Sequence, residues 1–450
     1  MHHRIVSILR RFKQDSSPLL DRPAILSICR SVGHKWRTSF FDPVTTIYVF
    51  LTQILHGNTA IRHLPHLTGC AFSAAAYCLA RSRLPLKVFQ DLVRSVADSL
   101  STATHDTGRW LGLRVFVVDG SAFSMPDTPE LQAHFGQTTA QRAGCGFPIA
   151  HILALFHVGT GMLLEVLTGP LYTHDMADVM RLHPLLCIGD VLLGDRGFCS
   201  FAHLALLVER GVHGVFRMHQ RQIVDFTPHR AHRRPGEKKA PKGLPSSRWV
   251  RCLGVTDQVV AWLKPKSCPE WMTAVQYALL PQELMVRELR YRIGGSGFRV
   301  REVTLATTLL DAELYTSADL AELYRRRWQV ETNLKNLKTT MKMDVLHCET
   351  VAGVSKELLM FVLTYNLVRL VMLEASGRQK VAVDRISFID ALRWLSESRA
   401  GASLGKLVVN RDRAGRAEPR VRKRRPKSYP LMTRPRSELR EGLLKPKKVA

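Results

Sequence analysis

Several signatures of common protein classes are missing from this 450-residue chain. Its nine cysteines are scattered, with no Cys-x-x-Cys pair and no Cys/His spacing typical of a zinc site. No glycine-rich phosphate loop occurs, and the eighteen histidines form no pattern of nucleophile and base. These absences argue against a structural zinc protein and an ATP-driven enzyme. The dispersed cysteines are typical of a reducing cytoplasm.

Long hydrophobic runs are also missing. The first 18 residues contain too short an apolar stretch for a signal peptide. The longest apolar tract, residues 145–171, is interrupted by His151, His157 and Glu165, and it is interpreted as two buried strands rather than a membrane span. The sequence therefore predicts a soluble cytoplasmic protein with no membrane partner.

Acidic residues are scarce relative to basic ones. The chain has 65 Lys and Arg against 38 Asp and Glu, a net charge of +27. Residues 401–450 alone hold 16 basic and 4 acidic side chains. Such an excess predicts a polyanionic partner, with nucleic acid first and an anionic membrane surface second.

The pattern of hydrophobic residues divides the chain into four predicted units. Residues 1–110 are predicted to be a helical, DNA-binding domain. Around Gly69, two helices resemble a helix-turn-helix that would carry Tyr77, Arg81 and Arg83 toward a DNA groove, although any small helical bundle with a few arginines has this pattern. The other units are a catalytic domain (111–218 and 311–400), a β-rich insertion (219–310) and a basic, proline-punctuated tail (401–450).

Two aspartates end buried strands in the predicted catalytic domain. Its elements run strand, strand, strand, helix, strand, helix, strand, which indicates a mixed α/β sheet flanked by helices. Asp119 ends the first strand in VVDGS, and Asp195 ends the fourth in LLGDRGF. The ends of these strands can be neighbours in such a sheet, so the two carboxylates are expected to converge. Each aspartate could also be an ordinary turn residue.

A third acid lies in YRRRWQVETNLKNLK, residues 324–338, which is predicted to be a helix. At 100° per residue, Tyr324, Arg327, Glu331 and Lys338 fall on one side of it. An alternative is an exposed helix with an Arg327–Glu331 ion pair, worth about 0.3–0.5 kcal/mol.

Three carboxylates around one point are what a pair of hard divalent ions requires. We therefore expect Asp119, Asp195 and Glu331 to bind two Mg²⁺ ions, with Mn²⁺ as a substitute, for chemistry at phosphorus. Arg327 and Lys338 would bind phosphates, and Tyr324 would donate to a phosphate or stack on a base.

Other acids and aromatic residues have simpler interpretations. Four further aspartates near predicted element ends are read as caps or turn residues, namely Asp127, Asp175, Asp178 and Asp190. Trp262, Trp271 and Phe298 of the insertion could stack on an extruded base, with core packing as the alternative.

These motifs together resemble DDE transposases of the bacterial insertion-sequence type-four family. The resemblance rests on VVDGS, on LLGDRGF and on the spaced signature Tyr-x2-Arg-x3-Glu-x6-Lys, and it covers about residues 40–430. It implies an RNase H-like fold with an insertion before the last acid, in which Asp119, Asp195 and Glu331 are catalytic.

The resemblance also implies a function. It predicts cut-and-paste transposition, with Mg²⁺-dependent cleavage at terminal inverted repeats, a possible hairpin step, strand transfer into target DNA and a synaptic homodimer. The alternatives are an RNase H-like nuclease without strand transfer, a non-catalytic DNA-binding protein derived from a transposase, and a basic RNA-binding protein.

Overall fold

The computed structural model describes residues 20–103, 107–173, 175–230, 242–293, 301–397, 403–410 and 432–444. Within these ranges, fourteen α-helices surround one nine-stranded mixed sheet. The helices are α1 (Arg22–Ser31), α2 (Pro43–Leu55), α3 (Leu64–Thr68), α4 (Ala74–Arg83), α5 (Leu86–Ala103), α6 (Pro129–Phe135), α7 (Asp175–Leu182), α8 (Phe201–Glu209), α9 (Ala274–Leu279), α10 (Ser317–Arg325), α11 (Trp328–Lys335), α12 (Val351–Gln379), α13 (Phe388–Glu397) and α14 (Arg436–Leu444). The strands are β1 (Val115–Ser124), β2 (Ile149–His157), β3 (Leu163–Pro170), β4 (Val191–Gly194), β5 (His213–Arg217), β6 (Ser246–Gly254), β7 (Asp257–Leu263), β8 (Glu283–Ile293) and β9 (Arg301–Thr307).

The sheet has the strand order β3-β2-β1-β4-β5-β9-β8-β7-β6. β1, β2 and β3 form an antiparallel meander, whereas β4 and β5 run parallel to β1. The parallel crossovers are made by α7 and α8, because parallel neighbours need a long connection. A meander followed by two parallel strands is the RNase H-like order, so the predicted mixed α/β fold is confirmed.

The strands of the predicted insertion extend the same sheet. β9 pairs antiparallel with β5, and β8, β7 and β6 follow as a second meander. Arg287, only 1% exposed, is neutralised by Asp257 through a 2.9 Å hydrogen bond from Nε. The unit boundaries at residues 110, 218, 310 and 400 stay predictions.

The N-terminal helices form a bundle, which was the alternative to the predicted helix-turn-helix around Gly69. Tyr77 is fully buried, and its phenol donates a 3.0 Å hydrogen bond to Gln53 Oε1. The Arg81 guanidinium lies 3.8 Å from the Phe50 ring centre and also donates to Gln53. Because α2 and α4 pack through these groups, the predicted DNA contacts of Tyr77 and Arg81 are wrong; Arg83 is exposed.

A buried carboxylate joins this bundle to the rest of the fold. Glu357 of α12 is 1% exposed and accepts hydrogen bonds from the side-chain amide of Asn58 and from the backbone N–H groups of His347 and Cys348. Burying a carboxylate is costly unless its oxygens are satisfied. The network therefore fixes the segment after the signature helices against both the N-terminal bundle and α12.

Helix α12 is long and apolar enough to cross a membrane by length and composition, but 83% of its most apolar window is buried inside the protein. It packs against the sheet: Asn366 bonds both the N–H and the C=O of Leu163 on β3. These contacts make it the central core helix of the fold.

Part of the predicted basic tail is folded, since residues 436–444 form α14. The Arg436 guanidinium at the start of α14 donates to Asp127 and to the Gly146 carbonyl, and it lies 3.9 Å from the Phe147 ring centre. A single arginine thus anchors this short helix, which hydrophobic periodicity alone did not predict. Residues 411–431 lie outside the described ranges.

Candidate active site

The site begins where β1 and β4 meet. Val117 of β1 is level with Leu193 of β4 in a parallel register. Asp119 lies two residues after Val117, and Asp195 lies two residues after Leu193, just past the end of β4. Asp195 is close enough to Asp119 to act on it electrostatically. The structure therefore brings together the two aspartates, which are 76 residues apart in sequence, as predicted for the first and fourth strands.

Gly120 of the first motif lies against side chains on the opposite face of the sheet, where a larger residue would not fit. A Cβ on Gly120 would lie 2.9 Å from Asp175 Oδ1 and 3.1 Å from His151 Nε2. The backbone N–H of Gly120 also donates to Asp119 Oδ1 at 3.0 Å. Asp119 and Ser121 thus share one face of the sheet, while Gly120 leaves room for the contact between His151 and Asp175 behind it.

The second motif forms a tight loop that holds Asp195. The Gly197 N–H donates to Asp195 Oδ1 at 2.7 Å. A Cβ on Gly194 would come within 3.0 Å of the Phe198 ring. The Phe198 carbonyl in turn contacts Nδ1 of His203, at 2.7 Å. Sequence reasoning missed His203, because its contact partner is a carbonyl that no side-chain pattern reveals.

The third segment departs from the predicted single helix. α10 ends at Arg325, a turn follows at residues 326–327, and α11 begins at Trp328. The backbone bonds from Gln329 to Arg326 and from Val330 to Arg327 span three residues, which tightens the turn. Residues 336–340 then form a π-helical turn. The assumption of 100° per residue therefore fails at both ends of this segment.

Arg327 lies between two of the predicted metal ligands. Its Nη2 donates to Glu331 Oε1 at 3.0 Å, and its Nη1 lies 4.0 Å from Asp119 Oδ2. The Arg327 side chain is 12% exposed, and that of Glu331 is 44% exposed. Arg327 Nε is buried without a hydrogen-bond partner. The Arg327–Glu331 ion pair that was considered as an alternative is thus present, and its arginine also lies near Asp119.

The carboxyl group of Asp119 is perturbed by its surroundings. Burial raises the pKa of Asp119 to about 6, with Arg327 and the Gly120 N–H opposing the rise and the nearby charges of Asp195 and Glu331 adding to it. Asp195 and Glu331 therefore lie close enough to Asp119 to disfavour its negative charge.

Tyr324 is more buried than expected for a residue that donates to a phosphate or stacks on a base. It is 6% exposed and belongs to the main hydrophobic core. Burial raises the pKa of Tyr324, and Arg217, Asp195 and Tyr291 are among the groups that act on it electrostatically. Tyr291 Oη is buried without a hydrogen-bond partner. Arg217 ends β5 and was missed, because a lone arginine after a strand carries no motif.

The signature lysine reaches β1. Lys338 Nζ donates a 3.1 Å hydrogen bond to Ser121 Oγ, two residues beyond Asp119. The described geometry thus connects Lys338 and Arg327 to the strand that carries Asp119. Tyr324 adjoins the same site from the core side.

The donor set suits a hard divalent ion, although the trio is not closed around one point. Among the described residues, no three His, Cys, Asp or Glu side chains form a group that could hold a metal ion. The Arg327 guanidinium lies beside both Asp119 and Glu331. Carboxylate oxygens are the ligands that Mg²⁺ prefers, and the negative charges near Asp119 favour a cation. The residues therefore fit Mg²⁺ in their chemistry.

The remaining aspartates have structural roles. Asp190 pairs with Arg114 through two hydrogen bonds of 2.8 and 2.6 Å. Asp175 Oδ1 lies 2.8 Å from His151 Nε2. The other two pairs are Asp178 with Arg181 and Asp127 with Arg436. Three of these aspartates thus form ion pairs with arginines and Asp175 contacts a histidine, contacts that the predicted cap and turn roles did not include.

The three aromatic residues of the insertion that could stack on a base have different outcomes. Trp262 is 1% exposed, and its indole N–H donates to the buried Glu288 at 2.8 Å. Stacking of Trp262 on a base is therefore wrong, and core packing is correct. Trp271 is half-buried, and Phe298 lies outside the described residues.

Comparison with known proteins supplies a family. The family model described as "Transposase DDE domain" matches residues 110–367. Transposase InsG for insertion sequence element IS4 of Escherichia coli K12 is 24% identical over 375 residues, covering 79% of this chain and 78% of the relative. Putative transposase InsZ of the same strain is 24% identical over 180 residues, covering 39% and 56%.

Among solved structures, this chain is similar to the piggyBac transposase synaptic complex with hairpin DNA, studied by cryo-electron microscopy. It is 11% identical to this chain, with a TM-score of 0.43, covering 88% of this chain and 80% of the other.

Proposed function

The chain belongs to the transposase DDE domain family of the IS4 type, and from this premise we propose that it catalyses cut-and-paste movement of its insertion sequence by metal-dependent cleavage and strand transfer. The substrates would be the terminal inverted repeats of the element and a target duplex. The observation that carries the proposal is the parallel register that sets Asp119 beside Asp195, with Glu331 within electrostatic reach.

Asp119, Asp195 and Glu331 would hold the metal ions. Two bound Mg²⁺ ions would supply a lowered pKa for the attacking water and charge stabilisation for the leaving oxygen. Two observations support this assignment: the pKa of Asp119 is raised, and the negative charges of Asp195 and Glu331 lie near it. The protein itself contributes a rigid platform, because Asp119 and Asp195 are each anchored by a backbone N–H.

Arg327 and Lys338 would bind phosphates of the cleaved strand. Arg327 is largely enclosed but keeps an unpartnered Nε, and Lys338 keeps two donors beyond its bond to Ser121. Both cations lie on the side of the sheet that carries Asp119. Tyr324, which is enclosed in the core, would support the Arg327 turn and reach a phosphate only through its phenol.

The proposed setting is the bacterial cytoplasm, with the protein bound to double-stranded DNA as a synaptic homodimer. The net charge of +27 supports a polyanionic partner, and bringing two transposon ends together requires two catalytic units.

Strand transfer separates this function from that of a simple nuclease. Duplexes carrying pre-cut ends with a free 3′-OH are incubated with supercoiled target DNA, protein and Mg²⁺. Transposition predicts joined products that depend on the 3′-OH. Cleavage of uncut ends without joining of pre-cut ends would instead support the nuclease, and end binding without either product would support the non-catalytic protein.

A further inference from the structure

Ser121 is the hydroxyl residue that follows Asp119 and Gly120 on β1. It faces the same side of the sheet as Asp119, since side chains alternate along a strand. Its Oγ accepts the 3.1 Å hydrogen bond from Lys338 Nζ. The contact spans 217 residues of sequence and joins the first motif to the last residue of the signature.

The backbone around Lys338 is arranged to make this contact. The Met341 N–H bonds the Asn336 carbonyl at 2.9 Å, five residues back, which defines the π-helical turn. Such turns add a residue to the helix and change the direction of the side chains that follow, often at functional sites. Lys338 lies inside this turn, so its stem is directed by it.

The segment after Lys338 is also held against β1. The Asp344 N–H bonds the Lys338 carbonyl at 3.2 Å, while the Asp344 carbonyl accepts a 3.1 Å bond from the Ser124 N–H. The Leu346 N–H then bonds the Ser124 carbonyl at 3.0 Å. These bonds fix the backbone of Lys338 relative to β1 but leave its four-carbon side chain free to rotate.

We infer that Ser121 is a positioning residue that holds the Lys338 ammonium beside Asp119 for phosphate binding. This inference rests on the proposed function, in which Lys338 binds DNA. One of the three ammonium donors is used by Ser121, and the other two remain for phosphate oxygens. Holding the ammonium in place before DNA arrives reduces the rotamer entropy lost on binding.

The test is a double-mutant cycle in single-turnover cleavage of a labelled transposon end. Ser121→Ala is expected to slow cleavage about tenfold, because a displaced positioning group costs on this order. Ser121→Thr keeps the hydroxyl and is expected to restore cleavage to within about threefold. The S121A/K338A double variant should cleave no more slowly than K338A alone, since the hydroxyl acts only through the ammonium.

A second readout separates positioning from a loss of charge. The slope of log affinity for end DNA against log salt concentration falls by about one when a phosphate-bound lysine is removed. K338A should show this decrease, whereas S121A should retain the wild-type slope because its charge is unchanged. An unchanged melting temperature for S121A would exclude unfolding as the cause of slow cleavage.

Ser124→Ala is the matched control. Ser124 lies on the same strand, and its hydroxyl donates to the Asp344 carbonyl rather than meeting an ammonium. Its cleavage rate should match the wild type. Three outcomes would overturn the positioning role of Ser121 and leave the proposed function intact. They are equal slowing by S124A and S121A, additive effects in S121A/K338A, and a fast S121A beside a slow K338A. A K338A variant that cleaves at the wild-type rate would contradict the proposed phosphate role of Lys338, and the inference would fail with its premise.

Discussion

The Arg327 guanidinium donates a 3.0 Å hydrogen bond to the Glu331 carboxylate and lies 4.0 Å from Asp119. An exposed i,i+4 ion pair on a helix contributes about 0.3–0.5 kcal/mol and has little reason to include a third charge. Here the arginine is largely enclosed, and its neighbour Asp119 comes from a distant strand. The pair is therefore better described as part of the proposed site, together with Asp119, than as a surface ion pair.

Exchanging the two charges tests that description. Arg327→Glu with Glu331→Arg should abolish cleavage, because a metal ligand and a phosphate-binding group would exchange places. The thermal midpoint should fall, because a carboxylate at position 327 would lie beside Asp119 where the guanidinium now does. Cleavage of a labelled transposon end and thermal unfolding provide the two measurements.

The same exchange at Glu322 and Arg325 is the matched control. This neighbouring pair lies on α10, with a contact of 2.7 Å and a largely exposed arginine. Swapping it should leave cleavage near the wild-type rate. Full activity in the Arg327/Glu331 swap would show that the pair is only structural.

Asp119→Asn should remove cleavage while leaving affinity for the transposon end nearly unchanged. An amide cannot supply the anionic oxygen that a divalent ion requires, and a loss of at least about a thousandfold is typical of such an essential group. Gel-shift titration and cleavage of the same duplex separate the two effects. The exposed-helix variant Asp91→Asn serves as the control, and persistent Mg²⁺-dependent cleavage by Asp119→Asn would contradict the metal assignment.

Divalent ions should stabilise the wild-type protein in the absence of DNA. Binding to the folded state alone contributes about 2.7 kcal/mol at an ion concentration a hundred times the dissociation constant. Thermal unfolding with Mg²⁺ or Mn²⁺, then with chelator added, measures this effect. The Asp119→Asn/Asp195→Asn variant should show no ion-dependent shift; an equal shift in both proteins would locate the ions elsewhere.

Acid should weaken the fold through the buried pair of His183 and His203. Their rings stack with Nε2 atoms 3.1 Å apart, and burial lowers the pKa of His203 to about 4 and that of His183 to about 3. Because the folded pKa lies below the unfolded value of about 6.5, this stability is present above pH 6.5 and is lost as the pH falls toward 4.

At pH 5 the free energy of unfolding is expected to be lower by about 2 kcal/mol for each histidine. Urea unfolding at pH 7.5 and pH 5.0 measures the loss, and His183→Gln should reduce it. His66→Gln on the exposed side of α3 is the control, with the wild-type pH dependence expected. An unchanged pH dependence in His183→Gln would exclude this pair as the cause.

Glu357→Ala should destabilise the whole fold. The substitution leaves the Asn58 amide and the N–H groups of His347 and Cys348 without their acceptor, at about 1–3 kcal/mol for each buried orphan. Denaturant unfolding should show a loss of several kcal/mol by this count. The exposed Glu349→Ala is the control, and a stable Glu357→Ala protein would show that water replaces the carboxylate.

The sequence by itself determined the order of the elements from β1 to β5 along the chain and the positions of three candidate acids. Period-two apolar runs and glycine-containing turns are local features, so β1 to β5 were predictable, and the motif spacings marked Asp119, Asp195 and Glu331. The same local logic failed for Tyr77 and Arg81, whose partners Gln53 and Phe50 lie on another helix. It also failed for α14, which one long-range arginine contact anchors.

Only the tertiary structure decided how the motifs meet. The parallel register of β1 and β4 sets two aspartates side by side, and no pattern within either strand encodes that pairing. The turn at residues 326–327 and the π-helical turn at 336–340 redirect side chains that a regular helix would align differently. The segment at 324–338 thus meets β1 because strand pairing and helix distortion act across long sequence separations, beyond the reach of local periodicity.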